Sequence, residues 1–379
     1  MCLEQADAYN ERGLDYHRAG DYEQAIAYYS EAIKLNPELA VAYSNRGSAY
    51  SDLGKYARAI ADFSAAILLN PNSEKTYNNR GIAYWRCRKY EDAIADFSIA
   101  IQINPFYAFA YNNRGNAYAD LKSYPQAIAD YSEAIRISPS YALAYSNRGN
   151  IYCLCGNYEQ AIADFSTAIQ FNPTSAEIYN DRGNVFANLK DYEQAIADFS
   201  TAIQFNPNLS IAYNNRGLSY HNSENYLAAI EDLTKAINLK PNNAEAYNNR
   251  GNTYFKLENY QQAVEDFSTA IELDKNFAKA YNNRGLAYYM LENFSAAADD
   301  FSEVIQFMPD SAMAYFNRGN AYHMLENFSA AVEDFSAAIQ LDANFGAAYY
   351  WRSQCYQALG EIEKAISDFE DAKRLNPAN

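Results

Sequence analysis

The sequence predicts an all-α solenoid of helix-turn-helix repeats, on three observations. A Tyr-Asn-Asn-Arg-Gly pentapeptide, or a looser copy of it, recurs with its tyrosine every 34 residues from Tyr9 to Tyr349, with no insertion. Between copies the apolar residues follow a helical period in two blocks joined by a short polar turn. Most units then close on Asn-Pro, as at Asn36-Pro37, Asn70-Pro71, Asn104-Pro105 and Asn172-Pro173.

The pentapeptide is intact at Tyr77–Gly81, Tyr111–Gly115, Tyr213–Gly217, Tyr247–Gly251 and Tyr281–Gly285, and degraded at Tyr349–Ser353. Counting each unit from three residues before the motif tyrosine places the starts at 6, 40, 74, 108, 142, 176, 210, 244, 278, 312 and 346. The eleven units span 6–379 as one array, because stacked repeats share a continuous core, and residues 1–5 remain as a leader. Positions 2–14 of a unit predict a first helix and about 17–31 a second. The turn between them reads Gly20-Asp21, Gly54-Lys55 or Gly156-Asn157. The closing proline biases the residue before it away from the helical region, so the chain stops and turns into the next unit.

Helical spacing sorts the positions onto faces. Positions 4, 8 and 11 share one side of the first helix (Tyr111, Gly115, Tyr118), and 20, 24 and 27 one side of the second (Ala127, Tyr131, Ala134). Glycine and alanine let the axes approach, and the rings fill the gaps beside them. Positions 4, 11, 17 and 24 hold 42 of the 58 aromatics, so most rings belong to a repeating core and not to a base-stacking surface or cofactor box.

Composition narrows the partner class. A formal charge of -17 and a pI near 4.6 repel a nucleic-acid backbone and give the array a solvated acidic surface. Cys2, Cys87, Cys153, Cys155 and Cys355 form no disulfide framework, which fits a reducing compartment. Residues 1–12 lack a secretory apolar core and no run approaches the ~18 apolar residues of a membrane span. These features predict a soluble, cytoplasmic protein with no membrane insertion.

A 34-residue helix–turn–helix with this aromatic, Gly, Tyr, Ala, Phe and Pro pattern resembles the tetratricopeptide repeat, or TPR, over residues 6–379. Tyr replaces the usual Trp at position 4 and Arg the usual Leu at position 7, a variant similar to bacterial arrays. The resemblance implies a right-handed superhelix whose first helices line a concave, peptide-binding groove. At the end of the array, Ser353 for Gly at position 8 and Lys373-Arg374 in the last helix read as a partial cap. In repeat 1, Glu11 replaces Asn and Tyr28 replaces Asp.

Two polar constellations recur. Arg stands at position 7 of all eleven units, Arg12 to Arg352, and Asp at position 23 of ten, Asp62 to Asp368. Arginine on the core side needs a fixed acidic partner, so the pattern predicts an Arg–Asp ladder between helices. Position 6 carries Asn45, Asn79, Asn113, Asn147, Asn215, Asn249, Asn283 and Asn317, with Asp181 interrupting; position 9 adds Asn116, Asn150, Asn184, Asn252 and Asn320. A stripe of amides offers donors and acceptors to an extended backbone whatever its side chains. The same position carries an asparagine ladder in the TPR domain of O-GlcNAc transferases, so the resemblance implies peptide gripping; bonds to neighbouring helices are the competing reading. Phe255, Tyr289 and Phe316, with Met290, Met313 and Met324, predict a more apolar groove and an anchoring region in repeats 8–10. The carboxylate clamp of Hsp70 and Hsp90 co-chaperones is absent: position 5 is never Lys and position 6 never Lys or Arg.

Catalytic and metal signals are weak. His17, His221 and His323 all stand at position 12 but three or more units apart, and Cys153 and Cys155 point to different faces of one helix. The Asn293 and Asn327 sequons fall at turns. The expectation is a non-enzymatic scaffold without metal or cofactor, holding a protein or peptide along its groove. Self-association into a homo-oligomer through the array ends is the alternative, and the recognition arm of a larger complex a further one.

Overall fold

The computed structural model describes residues 2–375; Met1 of the leader and residues 376–379 of repeat 11 lie outside the described residues. Among the described residues there are 22 α-helices, two per repeat, and no strand. In repeat 4 the first helix is α7 (Ala108–Asp120) and the second α8 (Tyr124–Ile137). The opening helix α1 (Cys2–Arg18) takes in Cys2–Gln5 of the leader. The chain divides into two compact units, Met1–Val185 and Phe186–Asn379. Among the described residues, within each unit a second helix packs only on its sequence neighbours, and a first helix also touches the next first helix along.

Local chemistry explains the punctuation. Position 15, between the two helices, is left-handed throughout: Gly20, Gly54, Gly156 and Gly360 take φ of 69–81°, and Arg88, Lys122, Lys190, Glu224, Glu258, Glu292 and Glu326 take 57–63°. The side chains of Asp21, Asp191, Asn225, Asn259, Asn293 and Asn327 cap the second helices by accepting from the third backbone N–H. Both sequon asparagines therefore spend their amide oxygens as helix caps. At the far end, the Asn36 side chain accepts from the Glu38 backbone N–H at 3.1 Å, and Asn104 from Phe106 at 3.0 Å. This Asx turn redirects the chain into the next repeat.

The core repeats with the sequence. Ala59, Ala93, Ala127 and Ala161 at position 20 are fully buried, with Phe63, Phe97, Tyr131 and Phe165 at position 24 against them. Position 8 lies under that ring: a Cβ added to Gly115 would stand 2.7 Å from Tyr131 Cε1. Where Ser353 replaces the glycine, the corresponding ring, Phe369, is 39% exposed. Ile362 and Ile366 on the same helix, α22 (Ile362–Leu375), are also exposed. The face of repeat 11 is thus less polar than its Lys373-Arg374 pair suggests.

Candidate interaction face

The Arg–Asp ladder is present in both units. Within the units, from Arg46–Asp62 to Arg148–Asp164 and from Arg216–Asp232 to Arg352–Asp368, each guanidinium grips its aspartate in two bonds of 2.6–2.8 Å. Its Nη1 donates in addition to a hydroxyl on the second helix of the preceding repeat: Arg114 to Ser98 at 3.0 Å, Arg148 to Ser132 at 2.9 Å, Arg250 to Thr234 at 3.0 Å. That hydroxyl donates onward to a carbonyl one turn back, as Ser98 does to Ile94 at 2.7 Å. One arginine so joins three helices, and the tyrosines at positions 4 and 11 flank it, Tyr77 and Tyr84 lying 5.6 and 5.8 Å from the Arg80 carbon. The bonded carboxylates hold Arg80, Arg114 and Arg250 more firmly protonated than usual. Arg12, facing Tyr28, lies 5.3 Å over that ring.

The hydroxyl at position 25 was legible but unread. Ser30, Ser64, Ser98, Ser132, Ser166 and Ser200 recur with the period of the arginines they serve.

The position 6 amides lie half-buried between first helices, apart from the buried Asn249, and most bond from repeat to repeat. Asn45 donates to Asn10 at 3.0 Å, Asn113 to Asn78 at 2.9 Å, Asn249 to Asn214 at 3.2 Å and Asn283 to Asn248 at 2.9 Å. Asn147 donates to both Asn112 and Asn116, at 3.0 and 3.1 Å. Asn79 accepts from Asn78 at 3.4 Å and Asn215 from Asn214 at 3.3 Å. Asn317 makes no side-chain hydrogen bond among the described residues. Position 5 is therefore the buried acceptor row under the groove, with Asn10, Asn78, Asn112, Asn214 and Asn248 all buried. It is half-buried at Ser44, Asn282 and Phe316, and exposed at Tyr350.

The position 9 residues are less uniform. Asn150 is exposed and reaches Asp181 at 3.5 Å, while Asn116, Asn184, Asn252 and Asn320 are half-buried. Asn116 also accepts from the Tyr131 hydroxyl at 2.8 Å. The aromatics expected as anchors are half-buried and each meets a neighbouring ring: Phe255 on Tyr260 and Tyr289 on Phe294, each at 5.2 Å, and Phe316 on Phe345 at 4.7 Å. What remains open on this face are positions 2 and 13. In the first unit these include Val41, Phe109, Leu143 and Leu154; in the second, Ile211, Met290, Met313 and Met324.

Histidines serve packing. His17 Nε2 lies 2.7 Å from Asp52 Oδ2, His221 Nδ1 3.0 Å from Thr253 Oγ1, and His323 Nδ1 3.6 Å from Cys355 Sγ. Burial holds His221 and His323 below the usual imidazole range and pushes the Cys355 thiol up to about 11, so that thiol is a poor nucleophile. Among the described residues no three His, Cys, Asp or Glu side chains gather as a metal site, and no helix is long and apolar enough to cross a membrane.

Comparison with known proteins follows the repeat register. The family model described as Tetratricopeptide repeat matches residues 6–39, 40–73, 74–107, 176–209, 244–277, 278–311 and 312–345. A second of that description matches 346–379, and one described as TPR repeat matches 115–153, 149–190 and 220–258. No curated protein matches the chain. Among solved structures it is similar to YrrB, described as a TPR protein with an unusual peptide-binding site, at 26% identity. That match covers 48% of this chain and 95% of YrrB, with a TM-score of 0.42. It is also similar to yeast Tom70, at 18% identity over 98% of this chain and 92% of that one, TM-score 0.45. The APC/C hetero-tetramer Cut9-Hcn1 is similar at 14% identity over 99% of this chain and 94% of that one, TM-score 0.46.

Proposed function

Because the chain belongs to the tetratricopeptide repeat family, we propose that it is a non-catalytic scaffold holding an extended peptide or partner helix along its first helices. One observation carries the reading: a repeating, hydrogen-bonded frame presents exposed apolar side chains that differ from repeat to repeat. Phe109 is 56% exposed, Leu143 52% and Met313 54%, although apolar groups of this size gain by leaving water. Variable apolar anchors on a fixed frame allow selection among partners without altering the fold.

The amide stripe is the second part of the proposal. Asn45, Asn113 and Asn283 each use one donor in an inter-repeat bond, which leaves a second N–H and the carbonyl oxygen for a peptide backbone, whereas Asn249 is buried in its bond to Asn214. Asn79, Asn147, Asn215 and Asn317 would extend the row, with Asn116, Asn150, Asn184, Asn252 and Asn320 beside it.

Affinity capture from native lysate, read by quantitative mass spectrometry, tests the apolar anchors. Phe109→Ala with Leu143→Ala, and separately Met313→Ala with Met324→Ala, leave melting unchanged, and at least one pair lowers recovery of a bound protein by about 30-fold. Equal recovery by wild type and both pairs refutes the groove reading. Self-association is a second reading, favoured by the exposed Ile362, Ile366 and Phe369. Against it, Asp15 occupies position 10, where Ala49, Ala83 and Ala117 are buried at the junction with the preceding repeat. Light scattering that shows a strict monomer across concentration removes it.

A further inference from the structure

α22 leaves open the face that second helices elsewhere in its unit turn toward the next repeat. On α20 (Phe328–Leu341), Phe335 at position 24 is fully buried and Val332 at position 21 half-buried. Both pack in one cluster with Ala348 and Cys355 of the following first helix, α21 (Gly346–Ala358). On α22 the same stripe is Ile362, Ile366 and Phe369, and the two isoleucines are 54% and 58% exposed. A groove of about 290 Å³ runs beside it, lined by Ser353, Gln357, Ala365, Ile366 and Phe369. Elsewhere in the unit this surface receives a helix, and its apolar side chains gain by leaving water.

Charge selects which helix. Glu361 and Glu363 stand at the start of α22, Lys373 and Arg374 at its end. Lys364 pairs with Glu361 and Arg374 with Asp371 along the helix, whereas Glu363, Glu370 and Lys373 have no ion pair among the described residues. Lys373 closes the apolar stripe, its nitrogen 4.4 Å over the Phe369 ring centroid. We infer that this face pairs with α22 of a second copy, the two helices running antiparallel about a two-fold axis between Ile366 and Phe369. Because residues are evenly spaced along a helix, that axis sets Ile366 of each copy against Phe369 of the other. Glu363 then stands beside Lys373 of the second copy at both ends of the pair, and the helix dipoles oppose. A parallel pair would instead set Glu363 on Glu363 and Lys373 on Lys373. Glu370 lies one turn from Lys373 on its own helix and shares that ammonium's field. A second copy supplies the matching order of charges by symmetry. The inference deepens the self-association reading and rests on it, but the objection from Asp15 does not reach it, since α1 takes no part. Such a contact uses one patch on both copies and closes at two. A formal charge of -17 per chain opposes further stacking.

Sedimentation velocity of the full chain across concentration tests it. The wild type forms dimers and nothing larger, and Ile366→Glu weakens association at least about 30-fold. Ile366 is exposed, so that variant keeps its fold, which circular dichroism checks. Glu363→Lys and Lys373→Glu each weaken the dimer about tenfold, because like charges then meet at both ends. An equimolar mixture of these two variants recovers wild-type association, which a fault in folding could not do. A strict monomer at every concentration overturns this inference and self-association together. Oligomers that Ile366→Glu leaves intact, or that grow beyond two, overturn the α22 pairing and leave self-association through another face. Charge variants that associate as well as wild type, or a mixture no better than its components, overturn the antiparallel pairing.

Discussion

At Asp181 an acid stands where eight other repeats place asparagine, and burial pushes its carboxyl above the usual carboxylate range. Asn150 and Asn180 pull the other way by hydrogen bonding, but they do not offset the lost hydration. A group whose folded pKa exceeds its unfolded value binds its proton more tightly when folded, so the stability it supports falls as pH rises through that window. At neutral pH the ionised Asp181 is therefore a cost. Asp181→Asn is expected to raise Tm by roughly 2 °C at neutral pH. The gap should close as pH falls below the unfolded carboxylate pKa of about 3.9, where the acid becomes neutral in both states. Melting curves of both proteins across that range check it; a constant gap would assign the effect to shape and not to charge.

On the scale of the element, the arginine ladder is what turns helix pairs into a stack. Arg114 on α7 binds Asp130 on α8 and Ser98 on α6 (Tyr90–Ile103), so one side chain spans two repeats. Burial pushes Asp130, Asp266 and Asp300 up despite their arginines, so much of each pair's attraction is spent on dehydration. Removing one partner should then hurt far more than removing both. Arg114→Leu is expected to cost about 3 kcal/mol by leaving a buried carboxylate unpaired, and adding Asp130→Leu should recover most of it. Urea titrations of the single and double variants measure this; equal losses would mean that the pair itself supplies the stability.

On the largest scale, stability is assembled from near neighbours, since among the described residues of each unit a helix touches nothing beyond the second helix along the chain. A defect should therefore stay local. In Arg114→Leu, hydrogen exchange is expected to quicken from α6 to α9 (Ala142–Leu154) while α15 (Ala244–Lys256) and α17 (Ala278–Met290) keep their protection. Faster exchange throughout both units would show that the array opens as one cooperative body.

The 34-residue register, the helix pairs and the Arg–Asp pairing follow from the sequence alone. Each depends on residues a few turns apart that must meet whenever the period holds, as Arg114 meets Asp130. Position 15 was legible only in part, because Gly20 announces a left-handed turn but Lys122 at the same place does not. Tertiary structure decided what the amides do. Asn78 and Asn113 look alike in sequence, yet one is a buried acceptor and the other a half-buried donor, because their roles depend on the rotation of one first helix against the next. The same holds for the rings on first helices: Phe255 and Phe109 each meet a tyrosine at 5.2 Å, yet Phe255 is half-buried and Phe109 stays exposed. Local periodicity sets which residues face inward, whereas the free surface depends on how neighbouring side chains share the remaining space.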